Sequence, residues 1–238
     1  MSILVDFHSH ILPGIDDGSS SPEESVAMLK AEKSQGIKSV VATPHFYPQS
    51  DTLDQFLNRR KQAEECLRGV LQKYTDLPEL IVGAEVHYFS GISNSDVVTE
   101  LTIGKSRYIL IEMPNPPWTD RMYRELEEIY TRYDITPIIA HIDRYISPLH
   151  THGITKCLPQ VPVLVQANSS FFLRRSTRAM AMRMLKNDQI HLLGSDCHNL
   201  STRPPNLGES LEVIQKCAGP EAVDRIRSYQ DLVLGTNQ

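Results

Sequence analysis

Seven short apolar runs, with stretches of helical periodicity between them, limit the architectures open to this 238-residue chain. The runs fall at 3–8, 38–43, 80–85, 107–112, 135–141, 161–167 and 189–195, and include SVVAT, YILIEM, TPIIA and IHLLG. Continuous apolar segments of this length suit strands covered on both faces, as in a parallel sheet. Between them, Ser21-Pro22-Glu23-Glu24 reads as an N-cap, a proline at the first helical position and a capping-box glutamate, with Gly36 as the stop. A second helix is expected over 53–74, where Phe56, Ala63, Leu67 and Tyr74 share a stripe, and others over 120–133, 177–186, 207–218 and 220–229. Such alternation requires right-handed crossovers, which makes the class α/β with a parallel sheet or barrel. Seven strands predict a distorted seven-stranded (β/α)7 barrel; an open doubly wound sheet would use the same pattern. No repeat, low-complexity tract or linker interrupts it, so residues 1–238 read as one domain.

What stands at the end of each run is chemically uniform. The first run ends in Asp6-Phe7-His8-Ser9-His10, and alternation puts His8 and His10 on one face. The second runs into Pro44-His45, the third into Glu85, the fourth into Glu112 and the fifth into His141. The seventh runs into Ser195-Asp196-Cys197-His198, where Asp196 and His198 share a face. Six of the seven runs therefore deliver His, Asp or Glu to one rim, where barrels of this kind build their active sites. Structural charge would be scattered, so the rim is read as a metal site. With Asp17 of the following turn, the set is His8, His10, Asp17, His45, Glu85, Glu112, His141, Asp196 and His198. That is too many for one tetrahedral zinc, and mixed imidazole and carboxylate suit manganese, iron or zinc in a cluster bridged by a carboxylate.

Composition removes other classes. A net charge of −5 gives no basic face for nucleic acid, and no run of about 20 apolar residues predicts a membrane span. MSILVDF lacks the features of a signal peptide, and Cys66, Cys157, Cys197 and Cys217 show neither a CxxC pair nor a disulfide framework. A cytoplasmic protein is expected; no heptad or dimer motif specifies an oligomer, although exposed helix faces leave room for a homo-oligomer.

The ordered set DFHSHILPGIDDG, GAE, YILIEM, IAHIDRY and SDCHN…RPP resembles the polymerase and histidinol phosphatase (PHP) superfamily, and within it the bacterial manganese-dependent protein-tyrosine phosphatases of capsule and exopolysaccharide loci. The likeness runs from Asp6 to Pro205. It implies a distorted seven-stranded barrel with three ions, most simply Mn2+. His8, His10, Glu85 and Asp196 would hold one. Glu85 would bridge to a second completed by Glu112 and His141. Asp17, His45 and His198 would hold the third. It also implies that Arg144 and Arg203 grip the phosphate, that a metal-activated hydroxide attacks phosphorus, and that the substrate is the phosphotyrosine-bearing tail of a bacterial tyrosine kinase. His87 in GAEVHYF departs from the aromatic residue expected there, so it is read as an outer hydrogen-bond partner or an alternative ligand.

Other readings stand beside these. Asp16 could replace Asp17, Asp6 could orient an imidazole or cap its strand, and Arg144 could pair with Asp143. His191 reads as a core histidine, His150 and His152 as loop residues, and Met180, Met182 and Met184 as helix packing. Tyr47, Tyr88, Phe89 and Trp118 follow the ligand-bearing strand ends and could stack on a substrate. Cys197 and Arg203 fit the C-x5-R pattern of cysteine-dependent phosphatases, yet no glycine lies between them and Cys197 should face away from the ligands, so the match is read as accidental. A small-molecule phosphatase of the histidinol-phosphatase kind, a nuclease and a non-enzymatic kinase-binding regulator are the competing functions.

Overall fold

Strand β1 (Val5–Ser9) is buried along its whole length, as an apolar run in a parallel sheet should be. The computed structural model describes residues 4–235; Ile3, where the first strand was expected to begin, lies outside them. The remaining strands are β2 (Ser39–Ala42), β3 (His45–Phe46), β4 (Glu79–Val82), β5 (Glu85–His87), β6 (Tyr108–Glu112), β7 (Thr136–Ile139), β8 (Leu164–Asn168) and β9 (Leu192–Gly194). Every pairing between them is parallel, in the orders β1-β2-β4 and β3-β5-β6-β7-β8-β9.

The described residues thus hold nine strands where seven runs were read, because the second and third runs each continue, after a break, into a short further strand. Pro44, with no N–H to give, separates β2 from β3, and Gly83-Ala84 separates β4 from β5 at the same level. Backbone bonds cross the break, from Gly83 N to Ala42 O at 2.8 Å and from Glu85 N to Pro44 O at 3.0 Å. The sheet curls until its first and last strands meet: Asp196 N donates to His8 O at 2.8 Å and His10 N to Cys197 O at 2.9 Å. This is an α/β fold on a curled parallel sheet.

The helices among the described residues are α1 (Pro22–Ser34), α2 (Leu53–Leu71), α3 (Val97–Glu100), α4 (Asp120–Tyr133), α5 (Ile154–Cys157), α6 (Ser169–Leu173), α7 (Arg175–Lys186), α8 (Leu207–Ala218) and α9 (Pro220–Leu234). The bounds of α4 and α8 are those expected, whereas α2 stops three residues before Tyr74 and α9 runs on to Leu234. Ser21 caps α1 by accepting from Glu24 N, but the capping box is not completed: the Glu24 carboxylate accepts from Ser20 N and Oγ instead. The one-turn helices α3, α5 and α6 are too short to leave a periodic pattern.

Alternation along the strands divides the core. Ile109 and Ile111 of β6 pack outward with Phe56, Leu67 and Phe171, while Val5, Phe7, Val41, Leu110 and Ile138 pack inside the curl with Val233 of α9. Gln230 of α9 fastens that end by bonding Val5 N and Val5 O. Truncating a fully buried side chain such as Phe7 would cost roughly 3–5 kcal/mol. This apolar plug fills the amino-terminal end of the curl and leaves the carboxyl-terminal ends of the strands for polar side chains.

Candidate metal centre

All nine side chains marked by the sequence meet at that rim. His8 and His10 project from the end of β1 and face each other through their Nε2 atoms at 3.2 Å. Glu85, at the start of β5, sets Oε2 3.1 Å from His8 Nε2, 3.3 Å from His10 Nε2 and 3.0 Å from His45 Nδ1. Its Oε1 lies 2.6 Å from His141 Nε2, which in turn stands 3.5 Å from Glu112 Oε1. Asp196 Oδ1 lies 3.6 Å from His8 Nε2 and 3.5 Å from His10 Nε2. On the far side Asp17 Oδ1 stands 3.5 Å from His45 Nε2 and 3.4 Å from His198 Nε2. The donor atoms gather in overlapping groups: His8, His10 and Glu85; His10, Asp17, His45 and His198; and His45, Glu85 and Glu112.

Local backbone geometry makes this convergence possible. His141 and Asp196 have φ of 32° and 55°, a left-handed conformation that non-glycine residues adopt at a cost and that turns each side chain out of its strand direction. Two glycines allow the close approach. A Cβ on Gly194 would lie 2.4 Å from His8 Cβ, and one on Gly18 would lie 2.1 Å from His10 O.

The hydrogen bonds behind the imidazoles fix their tautomers. His8 Nδ1 is 3.3 Å from Gln166 Oε1, and His10 Nδ1 is 2.8 Å from Asp16 Oδ2; both oxygens accept, so both Nδ1 atoms carry hydrogen and both Nε2 atoms face the centre, where a metal ion would take the place of any proton they hold. Glu85 Oε2, His45 Nδ1, Asp196 Oδ1 and His198 Nε2 are buried with no hydrogen bond of proper geometry, despite the short distances between them. Lone pairs that converge without a hydrogen between them are what a cation requires, so the donor set fits metal ions.

The electrostatics agree. Burial opposes the charged form of His10, but Asp16, Asp196 and Glu85 outweigh it and hold its pKa well above the ordinary value. Burial would raise the Glu85 and Asp196 carboxyls, yet the facing histidines pull both well below the usual range. Glu112, also opposed by burial, is brought to about 2 by His141 and His87. The same carboxylates lift buried His141 to about 9, whereas burial and the neighbouring His10 charge depress His198 to about 4. The centre is an anionic cage that demands positive charge.

Several details revise or sharpen the sequence reading. Asp16 is occupied in accepting from His10 Nδ1, His45 N and Gly18 N, while Asp17, with 67% of its side chain exposed, is the aspartate facing the histidines. Asp6 reaches neither imidazole; its Oδ1 accepts from His8 N and Ser195 N, which makes it a strand-end cap joining β1 to β9. Asp143 takes Asn168 N, so it is not the partner of Arg144, which instead reaches Glu112 Oε1 at 3.1 Å and Asp196 Oδ2 at 2.7 Å. Arg203 Nη2 lies 2.7 Å from Asp196 Oδ1. His87 bonds Glu112 Oε2 through Nδ1 at 3.1 Å.

Of the four aromatics, only Tyr47 stands at the rim, its ring stacked 5.0 Å from that of His45. Tyr88 and Trp118 are buried, bonded to Glu125 and Pro114 O, and Phe89 packs against the core. His191 Nδ1 accepts from Val165 N, His150 and His152 pair with each other in an exposed loop, and the three α7 methionines are buried. Cys197 is fully buried with Sγ toward Glu32, and burial together with the Glu32 and Asp6 charges pushes its thiol pKa well up, so it is no nucleophile. The sequence reading missed Gln166 and Asn168, which donate and accept behind His8, His141 and Asp196. The polar pair in the otherwise apolar VLVQAN was their signal.

A family model for capsular polysaccharide synthesis proteins, CpsB/CapC, matches residues 4–231. The chain belongs to this family. Among curated members, the tyrosine-protein phosphatase CpsB of Streptococcus pneumoniae is 30% identical over 231 residues, covering 91% of each chain. The tyrosine-protein phosphatase YwqE of Bacillus subtilis is 26% identical, over 97% of this chain and 91% of its own. A chain from the crystal structures of YwqE and CpsB, described as metal-dependent tyrosine phosphatases, shares the fold with a TM-score of 0.85 at 24% identity, covering 99% of this chain and 96% of that one.

Proposed function

We propose that this CpsB/CapC chain is a metal-dependent protein-tyrosine phosphatase. The observation that carries the reading is the cage itself: histidine and carboxylate lone pairs converge at one rim with two arginines beside them. His8, His10, Glu85 and Asp196 are assigned to one ion, Glu85, Glu112 and His141 to a second, and Asp17, His45 and His198 to a third. Manganese suits the mixed imidazole and carboxylate donor set, with iron and zinc as the alternatives that metal analysis would decide. We take the nine strands as seven, β2 with β3 and β4 with β5 each counting once, so that the curl is a PHP-type barrel and the chain one domain.

When bound, the ions would supply Lewis-acid charge at the phosphoryl oxygens and a water of lowered pKa. The chain's own residues do the rest. Gln166 and Asp16 hold His8 and His10 in the Nδ1–H tautomer, and Asn168 Nδ2 holds Asp196 Oδ2 at 2.8 Å. Arg144 and Arg203, each with about a third of its side chain exposed, offer planar donors to the phosphoryl oxygens. A tyrosine phenolate, with a reference pKa of about 10, departs with less help from an acid than an alkoxide needs. Tyr47 offers a face for the departing ring.

The openness of the rim favours a protein substrate over a small phosphomonoester: Asp17 is 67% exposed and Tyr47 37%, so the centre is not enclosed. The kinase tail of a capsule-export system in the cytoplasm is the substrate we assign, supported by the family's link to capsular polysaccharide synthesis. The test compares kcat/KM for a phosphotyrosyl peptide and for histidinol phosphate on protein of measured metal content. Preference for the peptide, abolished by His141→Ala, is expected. Preference for histidinol phosphate would move the assignment to a small-molecule phosphatase, and no turnover of either would leave a binding protein.

A further inference from the structure

The phosphate-gripping arginines line a cavity of about 370 Å3 that extends past them to Ser170 and Arg174, which the reaction described above does not use. Arg144, Asp196 and Arg203 form its inner wall, and Asn168, Ser170 and Arg174 continue it away from the metal cage, on the start of α6 and the turn between α6 and α7. Arg144 and Arg203 are both engaged with carboxylates of the cage. Arg174 is exposed, and no carboxylate lies in ion-pair range of it among the described residues. The one acid on the outer wall, Asp143, accepts from Asn168 N and forms no ion pair with Arg174 among the described residues.

The helix beside it adds to the imbalance. The first turn of α7 contains no acidic residue, although a helix N-terminus favours negative charge, and Arg174 and Arg175 stand there instead. Its neighbour Arg178 is tied to Phe172 O and Leu173 O, and Arg144 and Arg203 to the cage, which leaves Arg174 as the guanidinium of the cavity wall without a carboxylate in ion-pair range among the described residues. A local arrangement that opposes the helix dipole and leaves a cation unpaired beside a cavity is the kind of inconsistency with stability that functional sites carry.

We propose that this cavity is a specificity subsite in which Arg174 binds a second anionic group of the peptide, lying a few residues from the phosphotyrosine. The inference rests on the phosphatase reading above. Either a side-chain carboxylate or a second phosphate has the required chemistry. Binding there adds affinity without touching the reacting atoms, so Arg174 is a specificity residue and acts on KM more than on kcat.

The test uses the manganese-loaded full chain and four peptides identical except beside the phosphotyrosine: two glutamates, two glutamines, two lysines, or a second phosphotyrosine. Turnover is measured on these. Equilibrium binding is measured by fluorescence anisotropy on versions whose tyrosyl phosphates are replaced by non-hydrolysable phosphonates. The wild type should bind one or both anionic peptides about three- to tenfold more tightly than the neutral one, with the preference shrinking as salt rises. Which anionic peptide gains more distinguishes carboxylate from phosphate. Arg174→Ala should bring that ratio close to one, Arg174→Lys should keep part of it, and Arg174→Glu should favour a peptide carrying two lysines instead. A wild type without the preference, or an Arg174→Ala variant that retains it, overturns the subsite. If no peptide is turned over, the phosphatase reading fails, and the phosphonate binding ratios still decide the subsite.

Discussion

Asp16 and Asp17 are neighbours with opposite work, and replacing each in turn separates the support of the cage from its ligands. Asp16 Oδ2 accepts from His10 Nδ1 at 2.8 Å and His45 N at 3.1 Å, and Oδ1 from Gly18 N at 2.9 Å. Burial resists its charge, but the His10 bond and charge prevail and bring its pKa from 3.8 to about 2. At roughly 1.36 kcal/mol per pH unit, that depression makes the folded protein more stable by about 2 kcal/mol at neutral pH. Because the folded-state value is the lower one, the contribution is complete above pH 3.8 and is lost as pH falls toward 2. Asp16→Asn should therefore lower the unfolding free energy by about 2 kcal/mol in urea titrations of chelated protein at pH 7. It should also weaken metal binding by roughly ten- to a hundredfold, the usual effect of losing a carboxylate behind a ligating imidazole. Asp17 is 67% exposed, so Asp17→Asn should leave the chelated protein's stability within about 0.5 kcal/mol while removing one ion from the measured stoichiometry. An Asp16→Asn variant of unchanged stability and metal affinity, or an exchange of the two phenotypes, would refute the division of roles.

Other consequences are open to direct measurement. Gly194→Ala brings a Cβ to 2.4 Å from His8 Cβ and 2.9 Å from Gln166 Nε2, and should cost at least about 1–3 kcal/mol in urea unfolding together with bound metal. His141, lifted by Glu85 from 6.5 to about 9 against the effect of burial, stabilises the metal-free protein fully below pH 6.5, and this contribution fades as pH rises through 9. Metal must displace that proton, so calorimetry in buffers of different ionisation enthalpy should detect proton release and an affinity that climbs between pH 6.5 and 9. Iodoacetamide applied to the native protein should label exposed Cys66 and Cys217 and spare Cys197; peptide mapping that finds Cys197 modified would contradict its burial.

The cage was legible because its chemistry is conspicuous: histidines and acids at the ends of apolar strands have few other uses, and strand alternation alone turned Cys197 away from His198. Pro44 and Gly83 were visible too, but their effect on the sheet depended on both falling at one level of adjacent strands, which only the register reveals. The choice between Asp16 and Asp17 was hidden for a related reason. The turn they occupy is set by Gly18 pressing against His10, a contact between residues eight apart that no periodicity encodes. The choice for Asp6 between an imidazole and its strand end was hidden too, because a carboxylate next to histidines suggests ring contact, whereas the meeting of β1 with β9 offers it two backbone donors. Gln166 escaped notice because an amide inside an apolar strand carries no charge to mark it, although Oε1 reaches both His8 and His141.

The central claim is that the cage, and not Cys197, hydrolyses phosphotyrosine. Phosphotyrosyl-peptide hydrolysis measured before chelation, after chelation and after adding back manganese, with Cys197→Ser in parallel, tests it most directly. Activity lost with the chelator, restored by manganese and retained in Cys197→Ser is the predicted result. Activity indifferent to the chelator and abolished by Cys197→Ser would contradict the account.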